Sequence, residues 1–406
     1  MRHRWLVTGG WSRKSWWVLS PAIACVVLHA GIAAWAVVGN QGVDFSVYYL
    51  AAKALRQGVN IYTLTDADFA ALARAYDVQR YAPPYPYPPL IAGIVSLLAP
   101  LPVRGALMVW NAASVLAVLV TGLLLSRGRS RRWIDPMVFG ALALFGPIWT
   151  TLYAGQANNF VLLSLALYVA QWGSTMLSGC ALAFGLMLKP LAAPLLVHLV
   201  WRRDWPRLIG VGVGLAGILL VSLPLTGTQS VFDYLRHVPQ LGLQRLASVP
   251  VTYPPNQSLL GCLGRLLGDA PALARALWLG CSVLLCVGVA LLARGTLQSH
   301  NQRFGLESGL VLITAVLVVP IGWYHHGVVA MLAIVLVWQS ARARTVRAVV
   351  ATAFTLIGAQ GLLWHRLQGH PWLLSLGTYG LLLLYGVTAR EIRRSAGEPT
   401  SAPSVS

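Results

Sequence analysis

Long apolar runs separated by short, arginine-bearing polar stretches set the rhythm of this chain. A run of about 20 apolar residues is the length that crosses a bilayer as a helix. The first, Trp16 to Val38, follows Arg2, Arg4, Arg13 and Lys14. It is too long for the core of a signal peptide, so it predicts an uncleaved span entering from the basic, cytoplasmic side. Residues 40–87 are then expected outside. Within them Asp44 to Gln57 has the pattern of an amphipathic helix stopped at Gly58, and Thr65-Asp66-Ala67-Asp68 opens a second short helix in the manner of a capping box. Both are expected to lie along the membrane surface. Tyr81 to Pro89 holds too much proline for a helix and is read as extended. Pro89 to Pro100 is apolar but too short to cross, which predicts an interfacial or re-entrant piece.

Further spans follow at Arg104 to Ser126, which runs into the basic cluster Arg127, Arg129, Arg131 and Arg132, then at Ile134 to Leu152 and Phe160 to Trp172. The link from Ala154 to Asn159 faces outside. Met176 to Trp201 is interrupted by Lys189-Pro190. One straight span there would carry Arg202 and Arg203 to the wrong side, so two short helices meeting at the break are expected. Next come a segment from Leu208 to Pro224, a second outer loop from Leu225 to Asp269, and spans near 271–293, 305–321, 327–340, 346–364 and 372–388. The fold class is all-α and polytopic, with about twelve membrane segments. Both ends are cytoplasmic, no internal repeat is visible, and the tail past Arg394 reads as disordered.

Composition agrees with this pattern. Of 406 residues, 57% are hydrophobic and 10% charged, which excludes an ordinary soluble domain. A net charge of +19 invites a nucleic-acid reading. The basic residues, however, sit in clusters between apolar segments, a pattern that orients a membrane protein and builds no binding face. Five cysteines, Cys25, Cys180, Cys262, Cys281 and Cys286, fall mostly inside apolar runs and show no metal or disulfide spacing.

With only 11 acidic residues, each one can be weighed. Asp135, Asp204, Glu307, Glu391 and Glu398 fall toward the cytoplasm. Asp66 and Asp68 are explained by a helix start, and Asp77, Asp233 and Asp269 read as solvated loop charges. Asp44 stands apart because it directly follows a span among apolar and aromatic neighbours, where a charge is costly without a purpose. It can cap the helix beginning at Phe45, act as a base, or do both.

The order of motifs carries a resemblance. Asp44-Phe45-x-Val47-Tyr48-Tyr49-x-Ala51-Ala52 follows the first span, then Tyr87-Pro88-Pro89-Leu90, Gly155-Gln156-x-Asn158, Lys189-Pro190, Asn256-Gln257-Ser258-Leu259 with Arg265, and His325-His326. This resembles the GT-C membrane glycosyltransferases. Among them it is similar to the polyprenol-phosphate-mannose-dependent α-mannosyltransferases of glycosyltransferase family 87, over roughly residues 40–330. The resemblance implies an inverting transfer of mannose from a polyprenyl-phosphate donor to a lipid-linked or envelope glycan. It places that transfer on the extracytoplasmic side of a bacterial plasma membrane, with lipids as surroundings and no cofactor, metal or nucleic acid. It divides the chain into a cytoplasmic N-terminus and first span (1–39), an outer catalytic loop (40–103), spans with a broken helix (104–224), a second outer loop (225–270), C-terminal spans (271–389) and a cytoplasmic tail (390–406).

The roles follow from the chemistry. Asp44 would take the acceptor proton, while fixed cations meet the leaving phosphate. Lys189, between two apolar half-helices, either binds that phosphate or snorkels to the interface. Arg265 offers a bidentate phosphate contact or touches lipid headgroups. His325 and His326 either bind phosphate, or share the proton of Asp44, or pack in an aromatic belt. Tyr48, Gln156, Asn158, Asn256 and Gln257 are expected at sugar or acceptor hydroxyls, with helix capping as the other account of the amides. The rival class is a transporter or lipid flippase, whose marks are inverted repeats and charges within several spans.

Overall fold

The computed structural model describes residues 13–39, 42–130, 134–170, 174–293 and 302–397. Arg2, Arg4, Arg131, Arg132, Trp172 and the tail from Glu398, on which parts of the topology above rest, lie outside the described residues. The chain runs through α1 (Arg13–Val38), α2 (Val43–Arg56), α3 (Asp66–Ala75), α4 (Pro89–Ser96), α5 (Val103–Ser130), α6 (Pro136–Leu144), α7 (Gly146–Ala154), α8 (Asn158–Ala170) and α9 (Thr175–Leu188). It continues through α10 (Pro194–Arg202), α11 (Trp205–Ser248), α12 (Leu259–Leu267), α13 (Pro271–Leu292), α14 (Gln302–Val318), α15 (Ala330–Ser340), α16 (Arg344–Leu363) and α17 (Leu376–Gly397). Among the described residues there is no strand, only one antiparallel bridge between Asn256 and Trp323.

Six helices are long and apolar enough to cross a bilayer: Leu19–Val38, Val103–Arg127, Trp205–His237, Pro271–Leu292, Arg344–Leu363 and Leu373–Ser395. The bent pair α6 and α7 makes a seventh. The remaining apolar segments are helical as expected, but shorter. α8, for example, has 13 residues, which at 1.5 Å each span about 20 Å of a hydrocarbon core of about 30 Å. Length alone therefore supports six or seven crossings, below the twelve segments read from the sequence.

Local chemistry explains where other expectations hold and where they fail. Thr65 and Asp68 form the anticipated capping box, each bonding the other's backbone. The span expected over Ile134 to Leu152 is broken, and its halves bend by 52°. Pro147 sits in the first turn of α7, where its missing N–H costs nothing, so the chain restarts there. The stretch expected as a second outer loop is mostly helix, because a helix resumes beyond a kink at Gly227 and runs to Ser248. Gly227 turns its direction with φ 72 and ψ 156, a conformation glycine reaches without strain. Asp233 is consequently no solvated loop charge. It is buried on α11, where its Oδ1 accepts from Gln229 Nε2 at 3.0 Å. α17 runs past Arg394, which pairs with Glu391 at 2.9 Å, to Gly397, so the first residues of the expected tail are helical.

α2 does not lie on a surface. Every residue from Phe45 to Ala52 is buried, because the sequence is apolar nearly all round and packs against α4 and α3. α14, buried from Phe304 to Leu317, runs through the centre of the molecule. α13 lies at the periphery, with Leu279, Val283, Leu284, Val287 and Leu291 exposed.

Candidate functional site

A cleft of about 290 Å³ opens where the α7–α8 turn, the α9–α10 break and the 3-10 turn Tyr324–Val329 meet. Four predicted residues line it: Gln156, Lys189, His325 and His326. Each is delivered by a local interruption of helix.

Lys189 is placed by Pro190. A residue before proline is pushed out of the helical region, and Lys189 has φ −157 and ψ 123. α9 therefore ends there, and its last side chain turns into the cleft. Its ammonium donates to Asn158 Oδ1 at 3.0 Å and to Gln156 Oε1 at 3.3 Å. Those amide oxygens orient the ammonium without neutralising it.

Gln156 and Asn158 are placed by Gly155, which closes α7 at φ 68. A Cβ there would fall 2.4 Å from Cβ of Phe45, so α2 crosses hard against the turn. Gln156 Oε1 also accepts from the Tyr48 hydroxyl at 2.9 Å, and its Nε2 donates to the Tyr87 hydroxyl at 3.3 Å. Asn158 Nδ2 donates to the carbonyl of His325 at 3.3 Å. Tyr48 is fully buried, with its ring edge-on to Tyr87 at 4.8 Å. Burial, followed by the neighbouring Tyr87 and Asp44, holds its phenol well above the ordinary tyrosine value. Tyr48 therefore positions Gln156 from behind and does not line the cleft.

Asp44 does not cap its helix. The N-cap is Gly42, and Asp44 lies in the first turn of α2, where the helix dipole favours a carboxylate. The Gly42 amide donates to the carbonyl of Tyr153 at 3.0 Å, which fixes this helix start against the end of α7. Asp44 is half-buried and is not among the residues lining the cleft. It stands within electrostatic reach of two of the cleft's supports, Tyr48 and Tyr324.

His325 and His326 are buried in the 3-10 turn, with ring centroids 5.0 Å apart and planes at 75°. Trp323 precedes them and lies nearly parallel to His325, 6.3 Å away. Sequence reasoning missed Trp323 and Leu191 in the cleft wall and read Pro86 and Tyr87 only as part of an extended stretch. The signal for Trp323 was its place directly before Tyr324-His325-His326.

Besides Asp44, Tyr48 and Asn158, three further predicted residues do not line the cleft. Asn256 donates to the carbonyls of Val251 and Pro320 at 2.9 and 3.0 Å, and accepts from the amides of Ser258 and Gly322 at 3.1 and 2.9 Å. Gln257 donates to the carbonyls of Pro254 and Leu374, both at 2.8 Å, and accepts from the amide of Thr378 at 3.2 Å. Buried loop backbone needs partners wherever no helix supplies them, and these two amides supply them for 250–258 and 320–322. They hold the strand-like approach to Trp323 in place. Arg265 donates to the carbonyls of Tyr253 and Asn256, at 3.2 and 2.8 Å, and twice to Ser375 Oγ. Burial lowers its guanidinium to about 10, which leaves it charged at neutral pH. All three side chains are spent on internal bonds, whereas sugar or phosphate contact was expected. Among the described residues no three His, Cys, Asp or Glu side chains converge as metal ligands would.

No curated protein and no solved structure matches the chain. A family model matches residues 85–320, a stretch that holds Gln156, Asn158 and Lys189 and lies between Asp44 and His325. By that match, over more than half its length, the chain belongs to glycosyltransferase family 87, a family of the GT-C type.

Proposed function

We propose that this glycosyltransferase moves a sugar, mannose by its motifs, from a polyprenyl-phosphate donor to a hydroxyl of a lipid-linked or envelope glycan. The transfer takes place with inversion at the extracytoplasmic face of a bacterial plasma membrane. In this reading the shorter helices α8, α9, α10, α14 and α15 complete twelve segments within the bilayer. That places the Gly155 turn and the Lys189 break at the outer face.

The chemistry is a single displacement. The acceptor oxygen bonds to the anomeric carbon, and its proton passes to the Asp44 carboxylate. The bond from that carbon to the phosphate oxygen breaks, and its electron pair leaves with the polyprenyl phosphate. Lys189 meets the charge that grows on the leaving oxygen, with His325 and His326 beside it. A cation already held by neutral dipoles needs little rearrangement as that charge develops. The observation that carries the reading is the Lys189 ammonium, aimed into a cleft by Gln156 and Asn158 with two histidines on the same wall. Arg265, Asn256 and Gln257 enter as positioning residues.

The test is transfer of labelled mannose from polyprenyl-phosphate mannose in membranes carrying the protein. Asp44→Asn is expected to lower turnover by about 10²- to 10⁴-fold, the usual size of a general-base effect. Lys189→Ala is expected to weaken donor use while the protein still inserts. Full transfer by the Asp44 variant would remove it as the base. Unchanged donor saturation in the Lys189 variant would remove its phosphate role.

A further inference from the structure

A second cavity, of about 310 Å³, lies outside the reaction just described, between α10, α13 and α14. Its walls are apolar: Val197 and Trp201 on α10, Val289 and Ala290 on α13, Val311 and Ala315 on α14. It opens toward the outward-facing side of the molecule, since Val197 and Trp201 are 71% and 53% exposed. One end is strongly basic. His198, in the cavity wall, contacts Glu307 Oε2 at 3.2 Å, and the same carboxylate takes Arg202 Nε at 2.9 Å and Arg303 Nε at 2.8 Å. Arg303 also donates to the carbonyl of Leu292 at 3.0 Å, directly before the wall residue Ala293. Glu307 thus pairs with two guanidiniums, Arg202 and Arg303, and exposed Arg203 follows Arg202 beside Asp204, which itself pairs with Arg207, so positive charge is left in excess.

We propose that this groove binds one acyl chain of an anionic phospholipid, with its phosphate at the Arg202–Arg203 end. An apolar slot at membrane depth takes hydrocarbon, because a polar occupant would lose its hydration there. The basic end selects the charge of the head, since each arginine near a membrane surface attracts anionic lipid. Exposed Trp201 sits at the junction of slot and basic end, the level tryptophan favours in a bilayer. The lipid would brace α10, whose first residue, Pro194, is also a wall residue and lies close after the break that carries Lys189. Occupancy therefore supports the cleft without entering it.

Native mass spectrometry of the full chain in detergent tests this, with dioleoyl phosphatidylglycerol, dioleoyl phosphatidylcholine and polyprenyl phosphate offered at equal concentration. One phosphatidylglycerol is expected to stay bound after the other lipids are stripped. Ala290→Phe, which fills the groove, is expected to abolish that adduct, and Val197→Trp serves if the first variant does not fold. Arg203→Ala is expected to weaken it about fivefold. Equal retention of phosphatidylcholine would overturn the proposal, as would an adduct that survives both groove variants. If the retained lipid is instead polyprenyl phosphate, and Lys189→Ala releases it, the groove belongs to the donor and the proposal fails.

Discussion

The ammonium of Lys189 stands 3.0 Å from Oδ1 of Asn158, although the two residues belong to different helices and lie 31 positions apart. Asn158 gives its other end to the carbonyl of His325. One small amide thus ties the cation of the cleft to the turn that carries both histidines. Asn158→Ala is expected to cost about 1.5–3 kcal/mol of transition-state stabilisation, the size of a hydrogen bond to a charged group. That corresponds to about a 10- to 100-fold fall in kcat/KM for the donor. Asn158→Asp is the sharper variant. It keeps an oxygen near Lys189 but neutralises the charge that is proposed to meet the phosphate. Donor saturation should weaken in Asn158→Asp as much as in the alanine variant. Wild-type saturation by Asn158→Asp would mean that the ammonium is not the phosphate site.

Tyr48 acts one step further back. Its hydroxyl shares Gln156 Oε1 with Lys189, but Tyr48 does not itself line the cleft. Tyr48→Phe keeps the ring against Tyr87 and removes one neutral hydrogen bond, worth about 1 kcal/mol. A rise of about fivefold in KM for the donor is expected, with kcat and thermal stability close to wild type. A collapse of kcat would instead place the phenol in the chemistry.

Features that follow from nearest neighbours were legible in the sequence. Pro190 takes an amide from the chain and Gly155 permits a left-handed turn, so the two breaks that build the cleft could be read directly. So could the Thr65–Asp68 cap. What depended on distant partners was not legible. Asn256 looks like any polar loop residue until the carbonyl of Pro320, 64 positions away, is seen against it. Asp233 reads as solvated until the helix is seen to resume beyond the kink at Gly227. The bridge that pairs Trp323 with Asn256 was not legible either, although the place of Trp323 directly before Tyr324-His325-His326 was a local signal.

Gly155 joins the fold to the site. It needs φ 68 to close α7, and the missing side chain lets Phe45 of α2 press against it. Gly155→Ala puts an L side chain at a left-handed φ, at about 1–2 kcal/mol of backbone cost. It also inserts a methyl group where overlap typically costs about 1–3 kcal/mol more. Both Asp44 and Gln156 sit one residue from the strained contact. The variant should therefore lose transfer activity out of proportion to its loss of thermal stability. Ala157→Gly, two residues on, serves as the comparison because it adds no bulk. Normal kinetics in Gly155→Ala would show that α2 has room to move and that the position of Asp44 is not set here.

Arg265 separates a structural cation from a functional one. Its guanidinium is buried and bonded to the carbonyls of Tyr253 and Asn256 and to Ser375. Those contacts join residues 253–256 to the segment before α17, and that stretch in turn fixes Trp323. Arg265→Ala leaves the buried Asn256 carbonyl without its donor, at about 1–3 kcal/mol, and takes a second donor from the Tyr253 carbonyl, which keeps the Asn256 amide, so a clear drop in thermal stability is expected. Arg265→Lys cannot reproduce a fork that reaches three groups at once, and it should recover only part of the loss. In whatever fraction folds, KM for the donor should stay near wild type. The opposite result, a protein of normal stability that no longer saturates with donor, would return Arg265 to the phosphate and require the loop to open during the reaction.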